Sequence, residues 1–153
     1  MKQNYLISIV GRQKIDGEEG EIELTTVGSY VTKGDSRYIL YDEYDEDNPS
    51  IKTTSILKIH DNKKVTLIKK GRERSRLFLE KGKRHQCIYD TGMGTMTIGV
   101  FANTIDAQFT DQGGTLEIGY TLDINSGLTS LNKIFIKVKG TNKQNVKNSA
   151  ANN

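Results

Sequence analysis

The segment from Thr53 to Val100 constrains the fold most strongly, because turn residues interrupt it at short intervals and no helical period runs between them. The turn signals are Asp61-Asn62, Gly71, Gly82 and Gly92-Met93-Gly94. Short strands separated by turns about 8–12 residues apart are typical of an antiparallel sandwich or barrel. The segment therefore predicts an all-β fold.

The same pattern of strands and turns extends along the whole chain. Strands are predicted at 5–12, 21–33, 37–45, 51–60, 64–70, 73–81, 84–91, 95–109, 115–124 and 131–139. The segment 15–20 is predicted to be a loop, and Gly28 inside the second strand predicts a bulge or a bend at a barrel corner. Adjacent strands linked by hairpins must hide their edges, and closure does this completely. We therefore predict a single antiparallel up-and-down β-barrel of about 8–10 strands, with the last strand paired to the first.

Length and composition suit one domain in a reducing compartment. The chain has 153 residues and a single cysteine, Cys87, which cannot form an internal disulfide. The barrel is predicted at 1–140, and the polar segment 141–153 is predicted to be a disordered tail. No signal peptide pattern and no run of about 20 apolar residues is present, so we expect a cytoplasmic protein without a membrane partner. The oligomeric state is not determined by the sequence.

Charge is distributed unevenly along the chain. From Lys58 to Arg84 there are eleven lysines and arginines against three acids, whereas Asp35 to Asp47 holds six acids against Arg37. Such runs usually form solvated outer faces. The alternative interpretation is a basic patch for an anionic partner.

Nucleic acid is one such partner, because the lysines and arginines cluster near the predicted hairpin ends and could form a basic rim. Proteins that bind single strands usually interleave aromatic residues with basic ones. The basic segment offers only Phe78 and Tyr89 as aromatic residues. Nucleic acid is therefore an alternative partner, and a small molecule is the preferred one.

Several short motifs in the middle of the chain resemble a known family. They are Tyr38-Ile39-Leu40-Tyr41-Asp42-Glu43, Thr53-Thr54-Ser55-Ile56-Leu57-Lys58-Ile59, Lys70-Gly71, Ser75-Arg76-Leu77-Phe78, Lys81-Gly82, and His85-Gln86-Cys87-Ile88-Tyr89-Asp90-Thr91 with Gly94. In order and spacing they resemble the YwiB-like family of small bacterial proteins, a domain of unknown function. The resemblance covers roughly residues 6–138 and implies a lipocalin-like (calycin) barrel around a central cavity. It implies no activity or ligand, and Lys70 stands where family members commonly carry arginine.

One predicted strand carries a row of polar side chains on a single face. Residues two apart share a face of a strand, and this row is His85, Cys87, Tyr89 and Thr91. If the opposite face were turned inward, Arg84 and Asp90 would be buried. We therefore expect the His85 row to line the barrel interior.

A second polar pair, Tyr41 and Glu43, shares one face of an earlier strand. An unpaired buried carboxylate is costly, so Glu43 inside a barrel would need a cation. The candidate partners are Lys58, Arg74, Arg76 and His85. The predicted ligand-binding residues are Tyr41, Glu43, Lys58, Arg76, His85 and Tyr89, which could bind a small anionic or amphiphilic molecule. The alternative is an internal salt-bridge network that only fills the barrel.

No motif predicts catalysis or a bound cofactor. An enzyme of the lipocalin fold, with decarboxylase- or cyclase-like proton transfer by Tyr41 and Glu43 and a carboxylate held by Arg76, is an alternative that rests on fold analogy. No metal is predicted, because His85 and Cys87 supply two ligands where structural zinc takes four. Haem with His85 as its axial ligand is a further alternative. The leading hypothesis is a non-enzymatic binding barrel.

Overall fold

The computed structural model describes residues 5–72, 74–124 and 127–141, and the predicted tail from 142 onward lies outside them. The described part forms ten strands. They are β1 (Tyr5–Ile15), β2 (Glu18–Lys33), β3 (Ser36–Tyr44), β4 (Lys52–Ile59), β5 (Lys64–Lys70), β6 (Arg74–Glu80), β7 (Arg84–Asp90), β8 (Thr95–Thr110), β9 (Gly113–Ile124) and β10 (Leu128–Gly140). Within the described residues, no helix has the length and apolar character needed to cross a membrane.

The ten strands close into one antiparallel barrel in the order β1-β10-β9-β8-β7-β6-β5-β4-β3-β2. Each strand pairs with its sequence neighbours, and β1 pairs with β10 from Tyr5↔Gly140 to Ile15↔Ser130. Closure gives both terminal strands a partner. The predicted all-β, up-and-down barrel is therefore confirmed, and it is consistent with the lipocalin-like fold that the sequence indicates.

The first hairpin is tighter than the sequence analysis expects. In place of a loop over 15–20, β1 and β2 are joined by Asp16 and Gly17, with φ angles of 50° and 80°. Two consecutive residues with positive φ match the right-handed twist of the flanking strands, and Asp-Gly favours that conformation. The ladder consequently extends to the pair Ile15↔Glu18.

Gly28 lies where β2 changes partner. Going along β2, the ladder with β1 ends at the pair Tyr5↔Gly28, and the ladder with β3 begins at the next residue with the pair Ser29↔Leu40. A side chain at position 28 would overlap the backbone oxygen of Leu40 and the side chain of Ile7. The glycine therefore permits the close approach at the bend that its position in the sequence predicts.

The interior of the barrel is an apolar core formed by alternate residues of each strand. The largest fully buried side chains are Ile7, Ile39, Leu79, Leu116, Ile118, Ile136, Val65 and Val100. Successive side chains point to opposite faces of a strand, so these positions identify the inward face of each strand that carries them. The register then extends this assignment to the remaining strands.

The wall between β6 and β7 has the fewest paired residues. Their ladder consists of Arg74↔Asp90 and Ser75↔Tyr89, and one isolated bridge joins Glu80 to Lys83 near the hairpin. Between these points the backbone N–H of Phe78 donates to Sγ of Cys87 at 3.4 Å. A side-chain sulfur therefore satisfies a backbone donor inside the wall.

Truncation of a core leucine should destabilise the barrel far more than the same truncation outside it. Leu116 is 0% exposed and Leu131 is 51% exposed. We expect Leu116→Ala to lower the free energy of unfolding by about 2–5 kcal/mol, measured by urea denaturation. Leu131→Ala, the matched control, should change it by about 0.5 kcal/mol or less. Equal effects of the two substitutions would contradict the assigned inward face of β9.

Candidate functional site

Polar residues replace apolar ones on the inward face of the wall at one end of the barrel, where the β5–β6 hairpin lies. Glu43 is opposite Thr53 on β4, and Ser75 is opposite both Lys69 on β5 and Tyr89 on β7. These residues line an open depression of about 290 Å³, which we call the mouth. The complete lining is Glu43, Tyr44, Asp45, Ile51, Thr53, Lys69, Arg72, Ser75 and Tyr89.

Tyr41 and Ser55 are the next inward residues of β3 and β4 below Glu43 and Thr53. They are buried and opposite each other, and we call this pair the floor of the mouth. Burial raises the pKa of Tyr41 to about 12; the nearby Ser55 hydroxyl opposes this increase, and the carboxylate of Glu43 adds to it. The two hydroxyls do not reach full hydrogen-bond geometry. Among the described residues, Ser55 Oγ is the buried side-chain oxygen without a hydrogen-bond partner. The floor therefore contains an unsatisfied polar atom.

The mouth carries both signs of charge. Among the described residues, which leave out position 73, Lys69, Arg72 and Glu43 make no ion pair. Asp45 is held in its loop, because its Oδ1 accepts hydrogen bonds from the backbone N–H groups of Asp47 and Asn48 at 2.9 and 3.3 Å. Two cations and the carboxylate of Glu43 are thus available to a ligand.

The opposite end of the barrel is different, because its inward cation, Arg37, is bound to the wall through Nη1. Nη1 of Arg37 donates to the Tyr30 hydroxyl at 2.7 Å and to the backbone oxygen of Thr110 at 2.8 Å. It also lies 3.6 Å from Oδ1 of Asp111. The Tyr30 hydroxyl donates to the same Thr110 oxygen at 2.6 Å. This network ties Arg37 to the wall, whereas the cations of the mouth have no such partners within the described residues.

Three of the six predicted binding residues lie at or directly below the mouth, and the other three do not. Tyr41 forms its floor, and Glu43 and Tyr89 line it. Lys58 lies opposite Thr66, on the outward face of β4, and Arg76 is exposed on the outward face of β6. The predicted grouping needs correction here, since alternate residues of a strand lie on opposite faces. Lys58 and Arg76 are outside the barrel and cannot neutralise Glu43.

Cys87 and Tyr89 of the predicted polar row belong to the core or pack against it. His85 is also expected in the interior, but its ring contacts side chains that lie on the outer side of β6. The ring lies at the other end of β7 from the mouth. There Nε2 is 3.0 Å from Oε1 of Glu80, and the ring centroid is 4.7 Å from that of Phe78. The contact with His85 is the main reason that the pKa of Glu80 is lowered. His85 therefore belongs to a contact between β6 and β7 and not to the mouth.

Lys69 and Arg72 are the mouth residues that sequence reasoning missed. A signal for Lys69 was present, because Val65, Leu67 and Lys69 alternate on the core-facing side of one short strand. Arg72 lies in the turn after β5, where no periodicity assigns a direction. For metals, no three His, Cys, Asp or Glu side chains form a possible binding group among the described residues.

Comparison with known proteins identifies a family and a fold. Residues 7–136 match the family described as "Domain of unknown function (DUF1934)". The chain is similar to the crystal structure of ywiB protein from Bacillus subtilis, with a TM-score of 0.76, 22% sequence identity, and coverage of 92% of this chain and 94% of that chain. No curated protein matches the sequence. The resemblance inferred from the sequence motifs is confirmed, and at this identity the structural likeness supports the fold alone.

The buried phenol of Tyr41 should make the barrel less stable at alkaline pH. An unfolded tyrosine loses its proton near pH 10.0, whereas folded Tyr41 keeps it to about 12, so the folded state binds the additional proton in this interval. Stability should therefore fall as pH rises from 10 to 12, and Tyr41→Phe should remove up to about 1.4 kcal/mol per pH unit of that fall. Chemical denaturation across this range measures it.

The matched control is Tyr44→Phe, because Tyr44 is 61% exposed and its phenol is already in solvent before unfolding. A pH dependence that is unchanged in Tyr41→Phe would contradict the buried floor of the mouth.

Proposed function

The chain belongs to the DUF1934 family, whose function is unknown, and from the geometry of the mouth we propose that it binds a small anionic molecule there. The observation that carries the proposal is the contrast between the two barrel ends. Arg37 lines a depression at one end, but its Nη1 is bound to Tyr30, Thr110 and Asp111. Lys69 and Arg72 line the depression at the other end without an ion pair among the described residues. A guanidinium and an ammonium together suit a carboxylate or a phosphate.

Size and lining narrow the class of ligand. A volume of about 290 Å³ lies at the lower end of small-molecule sites. Thr53, Ser75 and Tyr89 can supply hydroxyl hydrogen bonds around the anion. Glu43 on the facing side favours a ligand that also carries an ammonium or another donor. The apolar core below the floor favours a compact anion over an amphiphile with a long chain.

The proposal is a binding function in preference to an enzymatic one. With its pKa raised to about 12, Tyr41 keeps its proton at neutral pH and cannot serve as a general base. The outward position of Arg76 removes the residue that would hold a substrate carboxylate. We place the protein in the cytoplasm, in keeping with its free, buried Cys87.

A nucleic-acid site built from the hairpin ends is less favoured. The β4–β5 and β6–β7 hairpins lie at one end of the barrel, and the β5–β6 hairpin lies at the other. An antiparallel strand of seven residues spans about 24 Å at about 3.4 Å per residue. The basic hairpin ends therefore do not form a single rim.

Neutralising Lys69 should abolish the response to anions. Citrate and inorganic phosphate serve as probes in thermal melts. Separately, native mass spectrometry of protein that was purified without refolding tests for a co-purified molecule. At an anion concentration of about 100 Kd, the melting temperature of the wild type should rise by about 5–10 °C. The rise should disappear in Lys69→Met and persist in Lys81→Met, which removes the same charge from the exposed hairpin at the other end. A bare mass together with no response to either anion would refute the proposal.

Substitution of Glu43 should separate simple anions from zwitterions. Two unit charges about 4 Å apart interact by about 1 kcal/mol even in bulk water. Glu43→Gln should therefore tighten phosphate by at least about fivefold and weaken an amino-acid-like ligand, as measured by isothermal titration calorimetry. Glu117→Gln on the exposed outer face of β9 is the control. If Glu43→Gln leaves both affinities unchanged, Glu43 does not face the bound ligand.

A further inference from the structure

The outer surface of β3 to β6 brings aromatic and basic side chains together. The register places Tyr38, Lys58, Thr66 and Phe78 in one row across the four strands. The neighbouring row on β5 and β6 pairs Ile68 with Arg76. We call this surface the basic-aromatic face, and its principal residues are Tyr38, Lys58, Lys70, Arg74, Arg76 and Phe78.

The aromatic rings of this face, those of Tyr38 and Phe78, are half-buried. Phe78 lies between two imidazoles, with centroid distances of 6.0 Å to His60 and 4.7 Å to His85, both in edge-on geometry. Nζ of Lys58 is 5.5 Å from the centroid of the Tyr38 ring. Nζ of Lys33 lies 6.0 Å from the same centroid, so the Tyr38 ring is bordered by two cations.

Three cations of the face have no acidic partner in the described part of the chain. Lys70, Arg74 and Arg76 are exposed, and within the described residues they make no ion pair. The arginines on other walls do make ion pairs: Arg12 with Glu21, Arg37 with Asp111 and Arg84 with Asp123. The outer surface of β5 and β6 therefore concentrates positive charge that the described part of the chain does not neutralise.

Acidic groups on and beside this face are already engaged. The carboxylate of Glu80 contacts both Lys83 and His85, and Asp42 accepts a hydrogen bond from Thr54. Asp90, which is opposite Arg74 on β7, accepts a hydrogen bond from the backbone N–H of Gly92 at 2.9 Å. The pKa of the adjacent His60 is lowered, chiefly by burial and then by the charge of Lys58. The charge of this surface thus complements an anionic partner.

We propose that the basic-aromatic face binds single-stranded nucleic acid. Such binding combines cations that track the phosphates with aromatic rings on which bases stack, and both elements occur here on one open sheet. An acidic peptide would use the cations but would leave the aromatic row without a role. This site is separate from the mouth, because Lys70, Arg74 and Arg76 point outward while Lys69 and Ser75 point inward.

Fluorescence anisotropy of a short labelled uridine oligonucleotide, measured over a series of salt concentrations, tests the inference. The double variant Arg74→Ala/Arg76→Ala should reduce the slope of log K against log salt by about 1.4, because each phosphate contact contributes about 0.7 for a single strand. Phe78→Leu should weaken binding by about 5- to 150-fold, the effect of losing one stacked base, with little change in slope.

The matched control is Lys137→Ala/Lys139→Ala, which removes the same charge from the exposed face of β10 on the far side of the barrel. The control should bind the oligonucleotide as the wild type does. Absence of salt-dependent binding by the wild type, or equal losses in the two double variants, would overturn the proposal. The proposal would also be overturned if poly-glutamate bound as tightly as the oligonucleotide and Phe78→Leu had no effect. That result would indicate that the partner of this face is an acidic peptide. A thermal melt of each variant checks its folding, and if Phe78→Leu unfolds, the arginine double variant still decides.

Discussion

The pairing of the first strand with the last is the constraint on which the rest of the structure depends. The ladder between β1 and β10 runs without a break from Tyr5↔Gly140 to Ile15↔Ser130, and it turns a meander of hairpins into a closed wall. A closed wall has an inside and an outside, so the alternation of side chains along each strand becomes a division between core and surface. A slip of one residue in any strand would exchange its two faces, and the apolar core opposes such slips.

Closure also creates two barrel ends, and the inward rows carry charged residues as they approach those ends. A charge near the core is costly unless it is paired or reaches water. At one end Arg37 is paired through the Tyr30 hydroxyl, the Thr110 oxygen and Asp111. At the other end Lys69 reaches water, since a long aliphatic stem can pack along the wall while the ammonium stays solvated. Both ends carry an open depression, but the first solution ties its cation to the wall, whereas the second leaves its cations without an ion pair among the described residues.

Local signals were sufficient for the strands but not for the site. Turn residues and period-two alternation predict all ten strands, and the cost of burying Arg84 and Asp90 is enough to orient β7. The cationic neighbours of Glu43 could not be found in this way, because β3 and β5 are separated by a strand and two connections whose geometry sets the register. Arg76 was an attractive partner by charge, yet its alternation with Leu77 and Leu79 places it outside. The same alternation, followed from Val65 to Lys69 on β5, would have placed Lys69 in the mouth. Arg72 lies in a turn, so only the structure could place it.

The positive segment that is continuous in sequence is divided in space by the pleat of the sheet. On β5, Lys69 faces the mouth and Lys70 faces outward; on β6, Ser75 faces the mouth and Arg74 faces outward. A count of charge along the chain cannot distinguish one strongly basic site from two, because it does not contain the face on which each residue lies.

Both surfaces lie beside the wall between β6 and β7. The ladder there has two residue pairs, and the backbone N–H of Phe78 donates to a thiol where a carbonyl would normally accept. Few ladder bonds mean low local stability, so both surfaces border the part of the barrel that can yield most easily when a partner binds.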